Sequence, residues 1–303
     1  MSDRQNQPLY YADSKSLTKN DICNALRMAG VREGDIVMVH SDIGSFGRLS
    51  TTNKEFLLRH LVQAIQESIG KEGTIIMPTF TYSFLKNQPF DVQESKSTVG
   101  TLTEYFRKLR KVARTVHPTH SVAVYGKKKE NFLDIGKGTF DKNSIFGKVH
   151  ALNGKIVLFG VRFYKACTFV HYIEEMHGVP YRYIKKLNGT VIKNGKAYND
   201  ELLFYYRYAF VLNSFLKLEE HLLKNNLLKE VKIGNSSIFV IECSQLFEEG
   251  YKFLDRDISS LLKNDSIYNR CFNKITCFIL KYFNLPVRLF YELVSKVFGL
   301  LSR

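Results

Sequence analysis

The chain has 303 residues, enough for one or two domains at ~150 residues each and for a core that needs no covalent staples. Hydrophobic residues make up 45% and charged residues 24%, a globular balance that excludes a disordered tail protein, a collagen and a coiled-coil rod. Lysine and arginine number 44 against 29 acids, and the resulting +15 favours polyanionic partners: nucleic acid, anionic lipid or a phosphorylated small molecule.

The N-terminal stretch MSDRQNQPLYYADSKSLTK is polar, with no apolar core for a signal peptide, and no window reaches the ~18–20 apolar residues of a spanning helix. A cytoplasmic location is therefore expected. In chain order, Thr18 caps an amphipathic helix over Ile22 to Ala29, stopped by Gly30. A buried strand from Asp35 to His40 ends in the small-residue turn Ser41 to Gly47. Thr52 to Ile69 reads as a helix closed by Gly70, and Thr74 to Pro78 as a short apolar strand. Tyr82 to Val99 is turn-rich. A helix over Leu102 to Leu109 and a strand over Ser121 to Gly126 follow. Lys155 to Val161 is the clearest central strand, with a helix from Thr168 to His177 directly behind it. Gly189 to Gly195 has a hairpin-like pattern. A long helix around Phe210 to Asn225 precedes a short strand and a helix that run to about Lys263. Strands alternating with helices of these lengths predict an α/β domain over residues 1–263, its central sheet mainly parallel with helices on both faces.

Residues 264–303 form a basic amphipathic helical tail divided by Pro286. Leu289, Leu293, Val297 and Leu300 recur at helical spacing, with Arg288, Lys296 and Arg303 left for a wetter face. The tail is expected to be dispensable for chemistry. It either packs on its own domain or on a second subunit as a homo-oligomer contact, or lies on an anionic membrane.

Three segments hold the unusual polar residues. His40 to Gly47 puts small residues at the end of a strand, where open α/β sheets bind ligands, but carries no nucleotide motif. Arg114-Thr115-Val116-His117-Pro118-Thr119-His120-Ser121 sets two histidines three apart around a proline, and histidine is the natural general base near neutral pH. In Cys167 to Glu175, Thr168 opens a helix where backbone N–H groups favour negative charge, and His171 and Glu174 share its face. The five scattered cysteines form no CxxC pair, and no metal site is expected.

Those segments, in this order, resemble the aminoglycoside 3-N-acetyltransferase family. The matching stretches are VMVHSDIGSFG, GTIIMPTFTYSF, PFDVQESKSTVGTLTEYFRK, RTVHPTHSVAVYG, SIFGKVHALNGKIVLFGV and CTFVHYIEE, and the resemblance covers about Leu17 to Lys263. It implies that family's α/β fold and transfer of an acetyl group from acetyl-CoA, the cosubstrate, to an amine. It places the pantetheine and pyrophosphate arm on His40, Ser41, Asp42, Ile43, Gly44, Ser45, Phe46 and Gly47, with Thr79, Thr81 and Ser121 beside the same crevice. It makes His117 the general base or its orienting partner, gives Thr168 and Glu174 catalytic roles, and puts His171 and Glu175 on the amine side. Ser144-Ile145 stands where family members usually carry Ser-Pro.

The acceptor half holds few acids beyond Glu174 and Glu175, while Arg162, Lys165, Arg182, Lys185 and Lys186 crowd it. A polycationic acceptor would meet an opposing field there. The expected acceptor is therefore a nucleotide-linked amino sugar of polysaccharide synthesis, with an aminoglycoside as the alternative. The competing class is a non-enzymatic binder of nucleic acid or anionic membrane, for which no nucleic-acid-binding signature is present.

Overall fold

A computed structural model describes residues 7–263 of the chain apart from position 14 and positions 209–210. The expected tail helices about Pro286 lie outside the described residues. The chain opens with a hairpin of β1 (Pro8–Ala12) and β2 (Lys15–Thr18), followed by α1 (Lys19–Met28), β3 (Ile36–Ser41), β4 (Arg48–Leu49), α2 (Lys54–Ile69) and β5 (Thr74–Pro78). Then come β6 (Phe90–Asp91), α3 (Thr101–Phe106), β7 (Ala113–Arg114), β8 (Val122–Gly126), α4 (Ile145–Ala151) and β9 (Lys155–Phe159). The remainder is α5 (Phe163–Ala166), α6 (Val170–His177), β10 (Arg182–Lys193), β11 (Lys196–Arg207), α7 (Leu216–Lys224), β12 (Lys229–Ile233), β13 (Ser236–Glu242) and α8 (Cys243–Arg256).

Local chemistry accounts for the helix ends. The Thr18 hydroxyl accepts from the Asp21 N–H while the Asp21 carboxylate accepts from the Thr18 N–H, a reciprocal capping box. Ser144 accepts from the Gly147 N–H and so caps α4, which leaves Ile145 in the first helical position, where proline is also favoured.

The main sheet has seven strands in the order β12-β13-β9-β3-β5-β8-β7. Only the central pairings β9–β3 and β3–β5 are parallel; β13–β9, β5–β8, β7–β8 and β12–β13 are antiparallel. The sheet is mixed, which corrects the mainly parallel expectation. Apolar runs report burial on both faces and carry no strand direction. The segment after β5 returns beside it as an antiparallel strand, and β12–β13 adds a hairpin at the other edge.

Alternate residues along the strands feed two cores. Met38, Ile76, Val124, Ile156 and Leu158 face one that includes Phe146 of α4, Ile173 of α6, Leu218 of α7 and Leu246 of α8. Val37, Val39, Ile75, Met77, Val157 and Phe159 face the other, closed by Ile22 and Leu26 of α1 and Leu61 and Ile65 of α2. β10 and β11 pair along 12 residues each about the turn Asn194-Gly195, whose φ values of 52° and 73° suit a two-residue hairpin loop. The sequence pattern had shown only the tip of this hairpin. α7 starts at Leu216 rather than Phe210, and α5 intervenes between β9 and α6. Among the described residues no helix is long and apolar enough to cross a membrane.

Candidate active site

β3 ends where the chain beyond β5 and the turn between α5 and α6 converge, at the carboxyl end of the central strands, where α/β sheets place ligands. A cleft of about 280 Å³ opens there, with His40, Ser41, Phe80, Tyr82, Val99, Thr103, Lys165, Cys167, Thr168, His171 and Phe215 in its wall.

His171 and Glu174 sit one turn apart on α6 and meet at 2.6 Å between Nδ1 and Oε2. Glu174 is fully buried, and every neighbour of its carboxylate is a donor. Arg182 Nε lies 2.9 Å from Oε2, while the Tyr181 hydroxyl at 3.0 Å and the Asn213 amide at 2.9 Å donate to Oε1. Burial alone would raise its pKa, but Arg182 and His171 outweigh this and hold it below the ordinary carboxylate range. The group is an anion with no capacity left for a substrate ammonium.

Arg182 Nη2 also approaches His171 Nδ1, at 2.9 Å. The shorter contact to an acceptor-only carboxylate decides the tautomer: the proton sits on Nδ1 and Nε2 is basic. Nε2 has no partner among the described residues, and the side chain is 23% exposed. Burial, then Arg182, lowers the His171 pKa against the pull of Glu174, so the ring is neutral at pH 7.

The other histidine segment lies deeper. His117 is 2% exposed and does not line the cleft. Its Nδ1 accepts the His120 N–H at 2.9 Å, which assigns the proton to Nε2 and occupies its basic nitrogen. Burial lowers its pKa to about 4. His120 stands between the two rings' environments, packed on Phe80 at 4.5 Å and Phe140 at 5.0 Å, and the Phe140 ring lies 5.3 Å from that of His171.

The remaining expected site residues divide into three groups. His40, Ser41 and Thr168 reach the cleft. The loop beyond them is tied down: the Asp42 N–H bonds to Phe159 O, the Gly44 N–H to Asp42 Oδ1, and the Ser45 hydroxyl to Gly160 O. Phe46 is wholly buried against Phe159, so its side chain serves the core. Gly47 has φ 148°, and a Cβ there would fall 2.5 Å from Tyr11 O. Ile43, Gly44 and Gly47 border a separate hollow of about 730 Å³.

Thr79, Thr81 and Ser121 stand behind the cleft wall with their hydroxyls used internally. Thr79 Oγ1 donates to Ser121 O, the Ser121 hydroxyl to Thr79 O, and Thr81 to Pro118 O. Thr168 does not open α6: its N–H and hydroxyl both point back to Ala166 O, at 2.8 and 3.3 Å. Glu175 lies away from the cleft beside the Phe140 backbone and Asp141, and burial first, then Asp141, pushes its pKa up to about 7. Arg182 and Asn213 support Glu174 from 8 and 39 residues away, and no local pattern marks them.

The family model for aminoglycoside 3-N-acetyltransferase matches residues 38–255. The chain is 26% identical over 243 residues to aminoglycoside N(3)-acetyltransferase IV of Salmonella sp., spanning 79% of this chain and 88% of that protein. It is 24% identical over 274 residues to an SPbeta prophage-derived aminoglycoside N(3')-acetyltransferase-like protein of Bacillus subtilis (strain 168), spanning 81% and 96%. Among solved structures, aminoglycoside acetyltransferase AAC(3)-IVa as apoenzyme matches with a TM-score of 0.69 at 25% identity, over 86% of this chain and 95% of that one. A variant of AAC(3)-IVa in complex with a gentamicin matches with 0.69 at 26% identity, over 81% and 91%. A binary complex of AAC-IIIb with CoASH shares the fold with a TM-score of 0.69 at 19% identity, over 79% and 97%. A family match across most of the described residues places the chain in the aminoglycoside 3-N-acetyltransferase family, as an acetyl-CoA-dependent N-acetyltransferase.

Proposed function

We propose that the chain acetylates an amine of an aminoglycoside-type amino sugar, with His171 as general base and Glu174 as the group that orients it. The observation that carries this reading is the 2.6 Å contact between His171 Nδ1 and Glu174 at the wall of the cleft. A protonated amine has no lone pair to attack a thioester, so it must lose one proton before the C–N bond forms, and a base must take a second from the attacking nitrogen as the bond forms. His171 has a free, neutral and accessible nitrogen for that task, and Glu174 stabilises the imidazolium that results. His117 keeps its basic nitrogen on a backbone N–H out of reach of the cleft, so the role expected of it passes to His171.

Acetyl-CoA would enter along His40 and Ser41 and past residues 97–104. Val99 and Thr103 line the cleft, while Ser97, Gly100, Thr101, Lys54 and Lys108 border the next hollow, of about 590 Å³. Glu55 and Glu104 border the same hollow, and Glu104 pairs with Lys108 at 3.0 Å. That leaves Lys54 as the cation there without a carboxylate partner among the described residues, and the one to meet a pyrophosphate.

The acceptor reading rests on the relatives' substrates and on ion pairing. The bases that argued for a nucleotide-linked acceptor are largely neutralised: Arg182 by Glu174, Arg162 by the buried Glu219, and Lys186 by Glu201. The field at the cleft is therefore weaker than the residue count suggests, and a polycation is admissible. The test is release of CoA thiol from acetyl-CoA with gentamicin or with nucleotide-linked amino sugars. Gentamicin should turn over faster, and His171→Ala should cut kcat by ~10²–10⁴. Faster turnover of every nucleotide-linked sugar would sink the acceptor assignment; near-normal kcat in H171A would sink the base assignment.

A further inference from the structure

We propose that Tyr82 donates the hydrogen bond that holds the oxyanion formed when the amine attacks the acetyl thioester in this cleft. The inference rests on the reading of the cleft given above.

Tyr82 has φ 55°, the left-handed region that bulky residues avoid. Such backbone persists only where the surroundings over-determine it, and it concentrates at functional sites. Here the surroundings do so from both sides. The Thr81 N–H bonds to Thr119 O at 3.1 Å and the Ser83 N–H to Pro118 O at 2.9 Å, while the Lys86 N–H bonds to Tyr82 O at 3.2 Å. The Lys86 ammonium adds a bond to Thr81 O at 3.1 Å. These contacts fix the bend at the point where the extended chain beyond β5 turns away.

The ring thereby joins Phe80 in the cleft wall, 6.1 Å from it, and stands edge-on to His120 at 5.3 Å. Its hydroxyl has no hydrogen-bond partner among the described residues. Thr168 donates to Ala166 O and Thr103 to Gly100 O, so neither hydroxyl is free for an oxyanion. The Ser41 hydroxyl, also without a bond among the described residues, lies at the end of β3 on the path given to acetyl-CoA. Burial raises the phenol pKa, so the O–H is retained at neutral pH. The cleft therefore holds an accessible base, His171, and a strained, unengaged neutral donor, Tyr82.

The chemistry balances with these two groups. The amine lone pair forms the C–N bond as His171 takes an amine proton, and the carbonyl π pair moves to oxygen, where the Tyr82 O–H meets it. Collapse re-forms the carbonyl and breaks the C–S bond. The CoA thiolate leaves with the proton from the His171 imidazolium.

The test is Tyr82→Phe, which keeps the ring, its backbone conformation and its contacts. Thiol release from acetyl-CoA with gentamicin should show kcat reduced ~10²-fold, the usual effect of losing one oxyanion donor, while KM for acetyl-CoA stays within about twofold. His171→Ala is run beside it. If Y82F keeps more than half of wild-type kcat while H171A is inactive, the hydroxyl has no such role and this inference falls alone. If H171A is also active, the reading of the cleft falls with it.

Discussion

Replacing Glu174 by Gln is the sharpest perturbation of the proton-handling centre, because the carboxylate faces four donors and an amide cannot. With its oxygen toward Tyr181 and Asn213, the amide nitrogen faces His171 and Arg182, and Nδ1 of His171 must become an acceptor. The proton then moves to Nε2 and the base is lost. In the reverse orientation the nitrogen opposes the Asn213 amide and the Tyr181 hydroxyl. In both, Arg182, whose side chain is 5% exposed, loses its counter-charge. Removing one partner of a buried pair costs about 3–5 kcal/mol. At about 2–4 °C per kcal/mol for a domain of this size, Tm should fall by roughly 6–20 °C. Loss of the basic tautomer should lower kcat by ~10²–10⁴, with KM for acetyl-CoA little changed. Thermal unfolding followed by circular dichroism and thiol release read the two effects separately. Adding Arg182→Met should recover part of the Tm and none of the kcat. A Glu174→Gln protein with Tm within 2 °C and kcat within threefold of wild type would refute both the pairing energetics and the tautomer assignment.

Two further outcomes follow from the histidines. His117→Asn keeps an acceptor for the His120 N–H at Oδ1 but empties the space of the rest of a buried ring, so it should lower Tm while leaving kcat within about fivefold; a loss of 10²-fold or more would return the base to His117. The pH dependence separates the rings again. His171 is held below its ordinary 6.5, so the acid limb of kcat, read at saturating substrates, should have its midpoint below 6.5, and a midpoint above 7 would contradict a neutral base. His40 and His117 are each lowered to about 4 by burial, so they bind fewer protons folded than unfolded. Their stabilisation is complete above pH 6.5 and lost as pH falls toward 4, by up to ~3 kcal/mol each. H117N should flatten that part of the Tm profile, and an unchanged slope would count against the buried neutral ring.

What the sequence made legible was local. The Thr18 cap, the Gly70 stop and the apolar strands β3, β5 and β9 depend on neighbours within a few residues, and each lies close to its expected position. Strand direction depends on where the chain goes next, and after the long connection through β6, α3 and β7 the chain re-enters the sheet as β8, antiparallel to β5. The β10–β11 hairpin was hidden for a different reason. Its strands carry Lys185, Lys186, Lys196 and Asn199 at exposed positions, and much of the hairpin is exposed or half-exposed, so the alternation that marks a half-buried strand is diluted.

The candidate site shows the same division. His171 and Glu174 were visible as a pair at helical spacing, but spacing could not say which of two histidine segments holds a free basic nitrogen. That is decided by which ring nitrogen accepts a backbone N–H, and for His117 the donor is three residues away in a turn whose shape Pro118 helps to set. Charge was still less legible. Read along the chain, Arg162, Arg182 and Lys186 sum to a basic patch that repels a polycation. Folded, they meet Glu219, Glu174 and Glu201 from 57, 8 and 15 residues away, and two of those carboxylates are wholly buried. A buried ion pair presents little net field to a substrate a few ångströms off, whereas an unpaired surface lysine presents nearly its full charge, screened over a Debye length of ~8 Å. In the cleft wall Lys165, ranged over Tyr164 at 5.7 Å, has no carboxylate partner among the described residues, so its field is the one that an entering acceptor would meet.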